Sequence, residues 1–109
     1  MQMTIRQITE TYGVSRRAIQ GYEKAGLISS SGKTKYGHLL YDETIQKRIR
    51  LIKFYQHIGF TLKEITDIID MPNAALKPIL ESRLRNLQEY HEDIRLLIDQ
   101  LTELIRTLS

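Results

Sequence analysis

The feature that most constrains this chain lies at its C-terminal end. Leu80, Leu84, Leu87, His91, Ile94, Ile98, Leu101, Ile105 and Leu108 step by alternating four and three residues. That is the a/d seam of a heptad repeat, held for about four heptads. Leu97 and Leu104 widen the seam on one side. A helix with this stripe exposed cannot stand alone in water. It must fold back on the rest of the chain or pair with another. About 30 helical residues span about 45 Å, more than the small remainder of the chain can cover. Pairing with a second copy is therefore the expectation. His91 sits at an a position, where a polar residue specifies register at a cost in stability. Its protonation would place a charge in the seam.

The remainder is large enough for one domain with a modest core. Breaker residues divide it: Gly13, Gly26, the stretch Ser29–Gly37, Gly59, then Met71-Pro72-Asn73 and Pro78. The segments between them are helical in pattern. Thr4 with Gln7, and Thr61 with Glu64, have capping-box spacing. Ser15 and Asp42 are further N-cap candidates, and Gly26 a C-terminal stop. Ile45, Ile49, Ile52 and Phe54 or Tyr55 form the stripe of a third helix, and Leu62, Ile65, Ile68 and Ile69 that of a fourth. Gly37–Tyr41 is predicted to be the return strand of a short hairpin. The expected fold is mainly α. Four short helices and a small β-hairpin form a head over residues 1–71. Residues 72–75 are read as a linker and 76–109 as the coiled-coil dimerisation helix.

Charge separates the same parts. Residues 1–60 carry 10 Lys/Arg against 4 Asp/Glu, and residues 61–109 carry 6 against 9. A basic front half points to an anionic partner, nucleic acid first. Cysteine is absent, which excludes disulfides, thiolate metal sites and cysteine nucleophiles, and fits the cytoplasm. The sequence shows no signal peptide and no bilayer-length apolar run, so no membrane partner is expected. His38, His57 and His91 are far apart in sequence, so no metal site is predicted. No nucleophile–base set, phosphate-cradling loop or carboxylate cluster suggests an enzyme, and no cofactor is expected.

Two short helices joined at Gly13 suggest a helix-turn-helix, whose second helix enters the major groove. Here that helix begins Ser15-Arg16-Arg17-Ala18-Ile19-Gln20-Gly21-Tyr22. Arginine can pair bidentately with guanine and glutamine with adenine, while a tyrosine hydroxyl suits phosphate. Ile19 is expected to anchor the helix to the core. Arg16, Arg17, Gln20 and Tyr22 are the candidate DNA contacts, with Lys33 and Lys35 on the flexible loop of the same basic half.

With these residues in view, the chain resembles the MerR family of transcription regulators. The resemblance rests on Gly13-Val14-Ser15, Tyr22-Glu23-Lys24-Ala25-Gly26-Leu27, Gly37 and Tyr41 followed by Asp42-Glu43, and Ile58-Gly59-Phe60-Thr61-Leu62-Lys63-Glu64-Ile65. It implies that residues 1–71 are a winged helix-turn-helix head, with the hairpin as its wing, and that two such heads are joined by an antiparallel coiled coil. It further implies a homodimer on pseudo-palindromic, double-stranded promoter DNA, bending and untwisting it for RNA polymerase. By position, Arg17 matches the family's recognition-helix arginine and Tyr22 its phosphate-contacting tyrosine, and the wing that the resemblance implies offers Lys33, Lys35 and His38 as further DNA contacts. Two positions depart from the pattern. Gln20-Gly21 stands where the family often has Arg-Tyr, and Leu39 replaces a wing arginine. Two other readings stay open at this level: an accessory, architectural DNA binder, and a coiled-coil module that binds another protein.

Overall fold

The computed structural model describes residues 1–108. They form two compact units that divide after Asp70. The first contains β1 (Met3–Thr4), α1 (Ile5–Tyr12), α2 (Arg16–Lys24), β2 (Gly32–Lys33), β3 (Leu39–Tyr41), α3 (Glu43–His57) and α4 (Leu62–Ile68).

Each of the four helices starts where a side chain can satisfy an orphan N–H. Thr4 and Thr61 accept from the backbone N–H of Gln7 and Glu64, whose side chains accept in return from the cap N–H. Ser15 and Asp42 cap α2 and α3 by accepting from Ala18 and Ile45. Helix α1 stops because Gly13 turns left-handed, at φ 67°, and donates to the Thr9 carbonyl at 3.1 Å. A side chain there would be strained, and its Cβ would lie 3.3 Å from Lys53 Nζ. That ammonium donates to the carbonyls of Tyr12 and Gly13 at 3.1 and 3.0 Å. The turn between α1 and α2 is thus tied to α3.

The sheet has one more strand than the predicted hairpin. Its order is β1-β3-β2, all antiparallel, with Met3 opposite Tyr41 and Gly32 opposite Leu40. Two residues carry no detectable alternation, so β1 is a product of placement rather than of pattern. Ile8, Ile19, Ile49, Ile52 and Ile65 are fully buried at the centre of the core. On α3, Tyr55 takes the buried position and Phe54 faces solvent. Tyr55 meets Phe60 edge-on at 5.9 Å.

Within this apolar interior lies one polar hub. Gln46 is 3% exposed. Its amide donates to the carbonyls of Met1 and Tyr41 at 2.7 and 2.8 Å, and its oxygen accepts from the Tyr12 hydroxyl at 3.1 Å. It therefore joins α3 to the N-terminal segment, to α1 and to β3. Arg48, also on α3, donates to the Leu27 carbonyl and forks onto both oxygens of Asp70 at 2.7 and 2.9 Å. The hydrogen bond from Arg48 holds the Asp70 carboxyl below its ordinary range.

The second unit is α5, a single helix of 35 residues from Asn73 to Thr107. It corrects the predicted linker at 72–75 in the local structure. Pro72 is the N-cap, and its carbonyl accepts from the N–H groups of Ala75 and Leu76. The helix also runs through Pro78, read from sequence as a separator. Proline in a helix interior costs about 3 kcal/mol, which one interruption in so long a hydrogen-bond ladder can absorb. Among the described residues of α5 none is buried. Leu84, Ile98, Leu101, Ile105 and Leu108 of the seam are each more than half exposed.

Gln46→Ala should lower the stability of the first unit by about 1–3 kcal/mol, because it leaves the buried Tyr41 carbonyl without a partner and frees the partly buried Met1 carbonyl and Tyr12 hydroxyl. Urea unfolding should show a lower midpoint with an unchanged slope.

Candidate nucleic-acid interface

Helix α2 is fastened by its inner face. Ile19 and Tyr22 point into the core. Successive residues turn by about 100°, so Arg16, Gln20, Lys24 and Arg17 fall together within about 100° of arc on the other side. All four are exposed. Lys24 was not among the predicted contacts. Its signal was present in the sequence, as the residue one turn beyond Gln20.

Tyr22 leaves the predicted DNA-facing set. Its ring is 1% exposed and its hydroxyl donates to Gln56 Oε1 of α3 at 2.7 Å. So placed, its hydroxyl is committed to α3 and its ring presents almost no surface to a phosphate. Spacing alone did not separate these roles, because a tyrosine at a helix edge suits either.

The wing follows from β2 and β3. The Thr34 N–H donates to the His38 carbonyl, and the Gly37 N–H to that of Thr34. The Thr34 hydroxyl accepts from the N–H groups of Tyr36 and His38. Gly37 has φ 83°, which lets the tip close. Lys33, Lys35 and His38 are all exposed on this short ribbon. Tyr36, missed from sequence, is 77% exposed, with the Lys35 ammonium over its ring at 5.1 Å.

The wing and α2 are joined by a hydrogen bond. The Tyr41 hydroxyl of β3 donates to Glu23 of α2. Burial raises the pKa of Tyr41 above the ordinary tyrosine range. The Glu23 carboxylate raises it further, and the nearby Arg16 charge opposes it. Tyr22 is raised by burial. Tyr41 thus belongs to the core and Arg16 to its rim. Of the predicted contacts, Arg16, Gln20 and His38 line one cleft, together with Thr4, Ile5, Arg6, Gly37 and Leu39. Arg17, Lys33 and Lys35 lie outside it. Among the described residues no three His, Cys, Asp or Glu side chains cluster to hold a metal. No helix among them is long and apolar enough to cross a membrane.

Comparison with known proteins identifies this arrangement. The model of the MerR HTH family regulatory proteins matches residues 3–72, and that of the MerR DNA-binding family residues 46–109. The chain belongs to the MerR family. It is 31% identical over its full length to the HTH-type transcriptional activator mta of Bacillus subtilis, and spans 40% of that protein. The crystal structure of MtaN, the N-terminus of the Bacillus subtilis multidrug transporter activator, has a TM-score of 0.71 at 29% identity, covering 94% of this chain and 97% of that one. HiNmlR, a MerR family regulator lacking the sensor domain and bound to promoter DNA, has a TM-score of 0.77 at 21% identity, covering 91% of this chain and 80% of that one. This last likeness speaks for the fold alone. The MerR-family head is the winged helix-turn-helix expected from sequence, with β1 as an added strand.

Tyr41 and Tyr22 stay protonated in the folded head after an unfolded tyrosine has lost its proton, near pH 10. Their contribution is fully present below about pH 10 and is lost as pH rises above it. Urea midpoints should therefore fall through the alkaline range, and Tyr41→Phe should flatten that fall. An equally steep fall in the variant would assign it to other groups.

Proposed function

We propose that this MerR-family chain is a sequence-specific transcription regulator that acts as a homodimer on pseudo-palindromic, double-stranded promoter DNA. The observation that carries the reading is the exposed polar arc of α2, held outward by the buried Ile19 and Tyr22 beside a basic wing. With α2 in the major groove, Arg16, Arg17 and Gln20 come near base edges. Lys33, Lys35 and His38 of the wing then follow the phosphate backbone, which fixes register without reading sequence. Lys24 extends the same arc.

The dimer rests on α5. Its row from Leu80 through Leu84, Leu87, His91, Ile94, Ile98, Leu101 and Ile105 to Leu108 needs a partner, and a second α5 running antiparallel supplies the complementary row. Residues 1–71 act as the reading head and the helix beyond as the joint. Two-fold symmetry then matches two half-sites of a pseudo-palindrome. Heads held at a fixed spacing bend and untwist the DNA between them, and the protein–DNA interactions that the bend permits offset the cost of deformation. RNA polymerase is reached indirectly, through the shape of its promoter on the cytoplasmic nucleoid.

In a gel-shift titration, Arg17→Ala should weaken specific binding by about 1–3 kcal/mol and relax preference at one base pair. An unchanged affinity would remove Arg17 from the interface. Ile98→Glu places a charge in the middle of the seam and should turn the dimer into a monomer by equilibrium sedimentation, with the circular dichroism of the head preserved. A dimer of undiminished affinity would show that the seam is not the joint.

A further inference from the structure

Resting on the DNA-binding reading, we propose that the first turn of α1 is a third arm of the interface, in which Arg6 clasps a backbone phosphate. The case starts from the cleft between α1, α2 and the wing, about 690 Å³ in volume. Arg6 enters it from α1, Arg16 and Gln20 from α2, and His38 from the wing. Its lining contains no carboxylate. Leu39 gives the wing side no charge, so the fixed cations come from the two helices. Such a cleft attracts an anion, and its place beside the groove-facing arc of α2 makes the flanking DNA strand the nearest one. In a helix-turn-helix the first helix crosses the backbone, which brings its first turn to the phosphates.

Arg6 is 82% exposed, and its Nε donates to Glu10 Oε1 one turn along α1 at 3.1 Å. An exposed pair of this kind contributes little to stability. Glu10 therefore serves as a stand-in for the phosphate, holding the guanidinium in place until DNA displaces it. Glu10 must be given up on binding, and it also repels the incoming strand. The two halves of one ion pair then act on DNA affinity with opposite signs. In a purely structural pair, loss of either half would act with the same sign.

The test is a titration of the full chain with a short random-sequence duplex over a range of salt concentrations. Arg6→Ala should weaken binding uniformly across sequences and reduce the slope of log affinity against log salt by about one. Arg6→Lys should keep most of that slope. Glu10→Gln should strengthen binding. Thermal unfolding of all three variants should stay close to that of the unaltered chain. An unchanged slope in Arg6→Ala overturns the proposal. So does a parallel loss of stability and affinity in Arg6→Ala and Glu10→Gln. Failure of the unaltered chain to retain any duplex at low salt would instead overturn the DNA-binding reading itself.

Discussion

Much of this head depends on how α2 is held. Its neighbouring residues Tyr22 and Glu23 reach in different directions. Tyr22 donates to Gln56 of α3, and Glu23 accepts from Tyr41 of β3. Ile19 fills the core between them. These contacts fix the rotation of α2 about its own axis. Rotation decides which side chains meet solvent, and therefore which could meet DNA. Both hydrogen bonds are partly buried, with the tyrosine of each pair enclosed in the core, where an unmet partner costs more than in water. The orientation of the arc is thus set by the core.

The same pattern recurs around α3. Gln46, Arg48, Lys53 and Gln56 each use a side chain on one helix to secure a carbonyl or hydroxyl on another segment. The segments so secured are β3, the turn after α2, the turn before α2, and α2 itself. A small core leaves little apolar area to hold so many short pieces. Directional polar contacts supply the missing definition. Arg48 and Lys53 therefore serve the fold, although composition alone would have counted them toward nucleic-acid binding.

The second unit has the opposite character. Helix α5 keeps a long ladder of local hydrogen bonds and buries none of its apolar row among the described residues. Apolar surface of this extent on a single helix is the observation behind the proposed pairing. The head is organised by contacts distant in sequence and α5 by contacts within one turn. That contrast is why the chain divides cleanly after Asp70.

The sequence by itself determined whatever depends on near neighbours. Thr4, Ser15, Asp42 and Thr61 announced the helix starts, Gly13 the turn, and the four-three spacing the apolar row along a long helix, because caps and periodic stripes act within a turn or two. Its motifs also carried the family. The tertiary structure alone decided which residues converge. It buried Tyr22, drew β1 into the sheet, made a hub of Gln46, and carried α5 back through Pro78 to Asn73. It also set Arg6 beside Arg16 and His38 in one cleft. Most of these turn on segments far apart in the chain, where the outcome rests on how side chains fill a shared interior. The helix proposed to read DNA could thus be located from sequence, but only packing against α3 and β3 settled the face it offers and the residues that share its cleft.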